Sequence, residues 1–162
     1  MPNTRLRVGF YMDMFLPMID THGVLRGPPA SSRGAFIARE DAALAVAQAA
    51  VDRPGGAPEV SGPELLTFAD IAAELTIVSG KVVQFVEESR DVFRERLDGS
   101  ELPQRIRELE LGWRDSLAAG EQAPVTDNFA RLLGRAPLTL RQYLSRFPQL
   151  ISGSPVEPGR RL

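Results

Sequence analysis

"GAFIAREDAALAVAQAAV", residues 34–51, is the stretch on which the fold turns. A short apolar run passes through an acidic pair, Glu40-Asp41, into a segment built almost wholly of Ala, Val and Leu. The run has the length and composition of a strand, and the segment from about 41 to 52 has those of a helix, ended by "DRPGG". A helix with no polar face belongs between layers, covering a sheet while other helices cover it, so this one is expected to be buried on every side. Asp41 is read as the helix N-cap, worth roughly 0.5 to 2 kcal/mol through free backbone N–H groups and the helix dipole. An acid/base pair at Glu40-Asp41 is the weaker alternative, because adjacent carboxylates at a helix start are usually caps.

Working outward, "TRLRVGFY" alternates and carries β-formers, so it reads as a strand at the start of the chain. "GVLRG" and "GAFIA", joined by "PPASSR", read as a hairpin or as a pair of short strands. "APEVSG" is a further strand candidate. "TFADIAAELTIVSG" is the clearest helix: Thr67 and Asp70 form a cap, Phe68, Ile71, Leu75 and Val78 form the stripe, and Gly80 is the stop. "KVVQFVE" follows as a strand. Beyond Ser89 the pattern is helical, with Leu102, Ile106, Leu109, Trp113 and Leu117 as the apolar face of residues 101 to 119. Two short helices follow, around Asp127 to Leu133 and Leu140 to Phe147, with Thr126 and Thr139 as caps. Strands alternating with helices, then a helical run, give an α/β protein whose sheet is at least partly parallel. The tail "SGSPVEPGRRL" has a disordered composition, which makes 1–147 the folded unit and 148–162 a disordered tail.

Composition narrows the function classes. At 162 residues and a formal charge of −2 the chain fits one ordinary globular domain. Its basic residues are arginines apart from Lys81; Arg90, Arg96, Arg114 and others interleave with carboxylates, so they read as a solvated surface and not as a nucleic-acid stripe. The absence of Cys excludes disulfides, thiolate nucleophiles and Cys-ligated zinc, and a single His22 leaves no metal set. Arg5 and Arg7 ahead of "VGFYMDMFLPMI" imitate an export signal, but Asp13 and Pro17 interrupt the run, and it is too short to span a bilayer. The expected location is the cytoplasm, with no membrane partner.

Known catalytic patterns are missing. No Gly-rich turn of either dinucleotide or triphosphate type follows a strand. His22 sits in "DTHG" without a nucleophile elbow and reads as a loop histidine. Tyr11 and Tyr143 each have Phe, not Lys, four residues on. "MDMFLPM" reads first as core, and otherwise as the lining of a ligand pocket or a partner interface.

Several segments together carry a resemblance. "LRVGFYMDMFL", "GAFIAREDAALAVAQAAV", "PEVSGPELLTFADIAAEL", "SGKVVQFV" and "VTDNFARLLGRAPLTLRQYL", in that order over residues 4 to 147, resemble the C-terminal half of NmrA-like proteins. These are atypical short-chain dehydrogenase/reductase relatives that include NAD(P)H-dependent quinone and azo-dye reductases and redox-sensing regulators. The resemblance implies late strands of a Rossmann-like parallel sheet followed by a helical substrate region. It implies NADP or NAD as cofactor, with Arg7, Gly9, Phe10 and Tyr11 along the strand end beside it. Gly9, Phe10 and Tyr11 are then the cofactor-side residues, and Tyr11, Met14 and Phe15 the substrate-side ones. The family often has Pro or Asn before this Gly and Asn three residues after the Tyr, where this chain has Val8 and Met14. No catalytic residue is assigned.

The resemblance implies the substrate-side half of an oxidoreductase, inactive alone because the phosphate cradle is absent. A non-catalytic redox-sensing or protein-binding module of the same ancestry, and a truncated reading frame, are the other readings. A parallel sheet without its earlier strands leaves an open edge, to be covered by a second copy or by a partner chain.

Overall fold

The computed structural model describes residues 4–122 and 124–147; residues 1–3, 123 and 148–162, including the tail expected to be disordered, lie outside the described residues. The elements in chain order are β1 (Arg7–Val8), a 3₁₀ helix (Met12–Met18), β2 (Val24–Gly27), β3 (Arg33–Gly34), α1 (Arg39–Asp52), β4 (Glu59–Val60), β5 (Leu66–Thr67), α2 (Phe68–Ser79), β6 (Gln84–Glu87), α3 (Arg90–Asp98), α4 (Gln104–Ala118), α5 (Asn128–Leu133) and α6 (Leu140–Leu144).

The architecture is α/β with mostly parallel pairing. β1 runs parallel to β4, Arg7 opposite Glu59 and Val8 opposite Val60, and a parallel pairing of Thr4 with Gly56 extends the contact; past the strand Tyr11 pairs with Ile37, in the segment leading into α1. β2 runs parallel to β6 along its whole length, and β3 pairs antiparallel with β5. "GVLRG" and "GAFIA" therefore form two short strands with separate partners, not a hairpin. The N–H groups of Arg5, Arg7 and Gly9 all donate toward β4, to the carbonyls of Gly56, Pro58 and Val60 at 2.9, 2.9 and 3.0 Å. Alternation then turns the N–H and C=O of Leu6 and Val8 to the opposite edge, where β1 has no strand neighbour among the described residues.

α2 follows its sequence closely. Thr67 and Asp70 form a reciprocal capping box, Gly80 ends the helix at φ 68°, and Phe68, Ile71 and Leu75 are buried. Thr139 and Gln142 form a second capping box at α6.

α1 departs from expectation in two ways. Only one face is covered: Ala42, Ala45 and Ala49 pack inward, while Leu44, Val46 and Val51 are exposed. The three alanines recur at helical spacing, and their small side chains leave the inner face flat enough to pack closely against α5. Asp41 is no cap either. The N-cap is Ala38, without a side-chain bond, and the fully buried Asp41 carboxylate instead accepts from Arg135 Nη2 and the Leu138 backbone N–H, both at 2.6 Å.

The second proposed cap, Thr126, likewise serves elsewhere. Its hydroxyl donates to the Glu59 carbonyl at 2.7 Å, fixing the start of α5 against β4 while Asp127 is the N-cap residue.

Two apolar clusters result. The larger centres on Phe15, Phe36 and Phe68, with Phe15 edge-on to Phe36 at 4.7 Å and to Phe68 at 5.8 Å. The smaller gathers Ile37, Ala42, Ala45, Val60 and Phe129 between β1, β4, α1 and α5. Close backbone approach joins them: a Cβ on Gly62 would lie 1.7 Å from the Phe36 carbonyl oxygen.

Arg114, expected at the surface, is buried. Its Nη2 donates to the carbonyls of Gly27 and Glu88, and its guanidinium lies 4.7 Å over the Phe93 ring. The buried Glu88 carboxylate, held bidentately by Arg96 at 3.1 and 3.0 Å, stands 3.8 Å from Arg114 as its counter-ion. Paired charge and carbonyl partners make this burial tolerable.

Candidate functional site

The carboxyl end of β1 is where backbone, aromatic side chains and open space meet. Gly9 donates to the Val60 carbonyl at 3.0 Å, and a Cβ there would sit 3.2 Å from the Ala35 carbonyl oxygen. The Phe10 carbonyl accepts from the Ile37 N–H at 2.9 Å, and the Met12 N–H donates to the Ile37 carbonyl at 3.0 Å. These bonds lock the exit of the strand, and the chain then winds into the 3₁₀ helix.

That helix sorts its side chains by threes. Met12 and Phe15 fall in one column and are fully buried, the last member of that column, Met18, reaches the larger cavity, and Met14 and Pro17 fall in another column and border open cavities. The Phe10 ring stands edge-on to Trp113 at 5.6 Å, 89° between planes. Trp113 and Glu110 border two cavities. The smaller, about 450 Å³, is bordered by Phe10, Met14, Leu109 and Trp113 with Glu108 and Glu110; the larger, about 480 Å³, lies between the 3₁₀ helix, β2, α3 and α4. Both volumes are in the range of small-molecule sites.

The residues singled out from sequence are thus divided. Phe10 and Met14 come together with Trp113 at the smaller cavity. Tyr11 turns to the other apolar cluster, where the Arg39 guanidinium covers its ring at 4.3 Å, and Phe15 is a core residue bordering neither cavity. Gly9 is backbone contact only. His22 is exposed, its N–H donating to Asp20 Oδ1 in a local turn.

α4 holds cavity-wall residues that sequence reading placed on a plain apolar helix face. Of the expected stripe, only Trp113 and Leu117 are buried; Ile106 and Leu109 on α4, and Leu102 just before its start, are exposed. Leu102 borders the larger cavity and Leu109 the smaller, so part of the stripe lines open space instead of a helix partner. A stripe of five apolar positions on a helix near the chain's end was the available signal, and it did not separate core from cavity wall.

Charge around the two cavities is uneven. In the larger, Arg26 pairs with Asp20 at 3.7 Å, and Arg96 and Arg114 share Glu88. Burial, partly offset by Glu88, pulls the Arg114 guanidinium below its ordinary value. Among the described residues, the smaller cavity has no basic side chain in its wall. Burial pushes the Tyr143 phenol up to about 12.

Among the described residues no three His, Asp or Glu side chains gather as a metal site, and no helix is long and apolar enough to cross a membrane.

No family model matches the chain. It is 24% identical over 147 residues to the uncharacterized oxidoreductase YesF of Bacillus subtilis, covering 86% of this chain and 51% of that one. It is 28% identical to quinone oxidoreductase 2 of Escherichia coli, covering 88% and 51%. The crystal structure of that NADPH-dependent quinone oxidoreductase with NADPH superposes with a TM-score of 0.78 at 27% identity, over 89% of this chain and 53% of that chain. The structure of NmrA, a negative transcriptional regulator in complex with NAD, shares the fold at a TM-score of 0.68 and 14% identity, over 93% and 53%. The chain spans about half the length of the relatives it matches. In sequence order and in fold it resembles NmrA-like, atypical short-chain dehydrogenase/reductase proteins, over the share expected of a C-terminal half.

Proposed function

We propose that this chain forms the substrate side of an NAD(P)H-dependent NmrA-like reductase acting on quinone-type acceptors. The observation that carries the reading is the cavity at the carboxyl end of β1, walled by Phe10, Met14 and Trp113, in a fold half like that of a quinone oxidoreductase. Carboxyl ends of parallel strands are where open α/β sheets take their ligands.

The fit to the cofactor is partial. An apolar wall with carboxylates and no cation suits an uncharged ring and repels a diphosphate, and the sequence holds no Gly-rich turn. Phe10 and Met14 would flank the nicotinamide, with Gly9 holding the strand end; the phosphate cradle is supplied by another segment. The nicotinamide, when bound, supplies a hydride. Phe10, Met14 and Trp113 exclude water from the acceptor and hold it flat, which raises the share of productive encounters. The unpaired edge of β1 at Leu6 and Val8 is the natural seat of a neighbouring strand, from a partner chain or a second copy. Exposed apolar residues on α1 support the second reading, a regulatory module working through protein contacts.

Trp113 is the chain's single tryptophan, so its emission reports on the site. A benzoquinone titration is expected to quench it saturably, whereas NADPH alone does not bind at micromolar concentration. Absence of saturable quenching sinks the reductase reading; tight NADPH binding to this chain by itself sinks the claim that the cradle lies elsewhere.

A further inference from the structure

We infer that the smaller cavity selects flat aromatic ligands that are cationic or rich in N–H and O–H donors, and rejects anionic ones. The inference rests on the reading of this cavity as the substrate side, and names the class of substrate it admits.

The argument is a charge count around the wall. Seven side chains define it among the described residues: Phe10, Met14, Leu109 and Trp113 are apolar, Ser116 is a neutral hydroxyl, and Glu108 and Glu110 are carboxylates. Neither carboxylate has a cationic partner. Glu108 only accepts a hydrogen bond from Gln104 Nε2 at 2.8 Å, and Glu110 makes no hydrogen bond or ion pair among the described residues. Of the nearby arginines, Arg107 pairs with Asp98 at 2.9 Å, Arg114 and Arg96 with Glu88, and Arg90 with Asp115 at 2.7 Å; Arg105, exposed on α4, borders neither cavity. Glu110 also borders the larger cavity, whose three arginines all have carboxylate partners. The uncompensated charge that a ligand meets here is therefore negative.

Aromatic faces reinforce that sign. The indole of Trp113 and the ring of Phe10 present π-density, which attracts a cation or a polarised N–H and repels an anion. Met14 and Leu109 supply an apolar surface that adapts to ring shape. Such a wall prefers a delocalised aromatic cation, or a ring carrying phenolic or amino donors, over an aromatic carboxylate or sulfonate.

The test uses thioflavin T, a flat aromatic cation, and anilinonaphthalene sulfonate, an aromatic anion, with Trp113 quenching as readout. Thioflavin T is expected to bind the unmodified chain saturably and to weaken by about five-fold or more in the combined Glu108→Gln, Glu110→Gln variant, the scale of one well-placed partly exposed charge contact. Glu108 is exposed and Glu110 half-buried on α4, and circular dichroism checks that the variant folds. Unchanged thioflavin T affinity in the variant, or its displacement by the sulfonate, overturns the inference. If benzoquinone quenches Trp113 and thioflavin T does not, the charge preference fails while the reductase reading stands. If neither quenches, both fail.

Discussion

Asp41 and Arg135 stand 94 residues apart in the chain, yet the guanidinium Nη2 donates to the fully buried carboxylate at 2.6 Å. The other oxygen accepts from the Leu138 N–H at the same distance, so one side chain at the start of α1 fixes the loop between α5 and α6. Asp41→Ala is expected to lower stability by about 3 kcal/mol, because the Leu138 amide loses its partner along with the ion pair. Arg135→Ala should cost at least as much, about 3 kcal/mol or more, because it leaves the fully buried carboxylate without its counter-ion while Asp41→Ala lets the half-exposed guanidinium return to solvent. Urea denaturation of the two variants tests this, and a loss below about 1 kcal/mol for Arg135→Ala contradicts the account.

Gly62 tolerates no side chain. Its Cβ would lie 1.7 Å from the Phe36 carbonyl oxygen and 2.6 Å from the carbonyl carbon, both backbone atoms that cannot swing aside. Gly62→Ala should therefore destabilise by about 3 kcal/mol or more. Gly112→Ala, with nothing within 4 Å of its added Cβ, serves as the control and should gain stability slightly, as Ala favours helix over Gly. Thermal melts of the pair decide the matter.

Acid should act partly through α2. The Thr67 hydroxyl and then its backbone N–H hold the Asp70 carboxyl below its ordinary value. A carboxyl depressed on folding contributes stability that is complete above its unfolded value, near 4, and is lost as pH falls through the lower folded value. Arg90 does the same for Asp115. Stability should fall below about pH 4, and Thr67→Ala should shrink the Asp70 part of that dependence while costing about 1 kcal/mol at neutral pH. A denaturation series against pH that is parallel for the two proteins contradicts this.

Arg114→Met should be among the most costly substitutions. It strands the carbonyls of Gly27 and Glu88 and leaves the Glu88 carboxylate with Arg96 alone. A loss of about 3 kcal/mol is expected by urea denaturation. Arg94→Met, on an exposed position of α3, should change stability by less than about 0.5 kcal/mol.

What sequence made legible was local. Capping signals at Thr67 and Thr139 and the stop at Gly80 are written in neighbouring residues and matched the structure. The parallel pairings followed from element order, and the resemblance followed from the order of segments. Less legible was anything decided by distant partners. Asp41 looks like a cap until Arg135 and Leu138 arrive from the other end of the chain, and Arg114 looks solvated until Glu88 neutralises it. The site suffered in the same way: Phe10 and Met14 were marked early, but Trp113 read as one more position on an apolar helix face, and nothing marked Glu108 or Glu110. Periodicity identifies an apolar face without saying whether a neighbour fills the space above it.

The 3₁₀ winding from Met12 to Met18 has a consequence for how this segment can vary among relatives. With three residues per turn, Met12 and Phe15 share the core column while Met14 and Pro17 share the cavity column. Exchanging one side chain in the cavity column retunes the binding surface and leaves the core intact. Inserting or deleting one residue shifts every later side chain by a third of a turn, carrying Phe15 out of its aromatic cluster. Such a segment is free to drift in spelling but held to a fixed length.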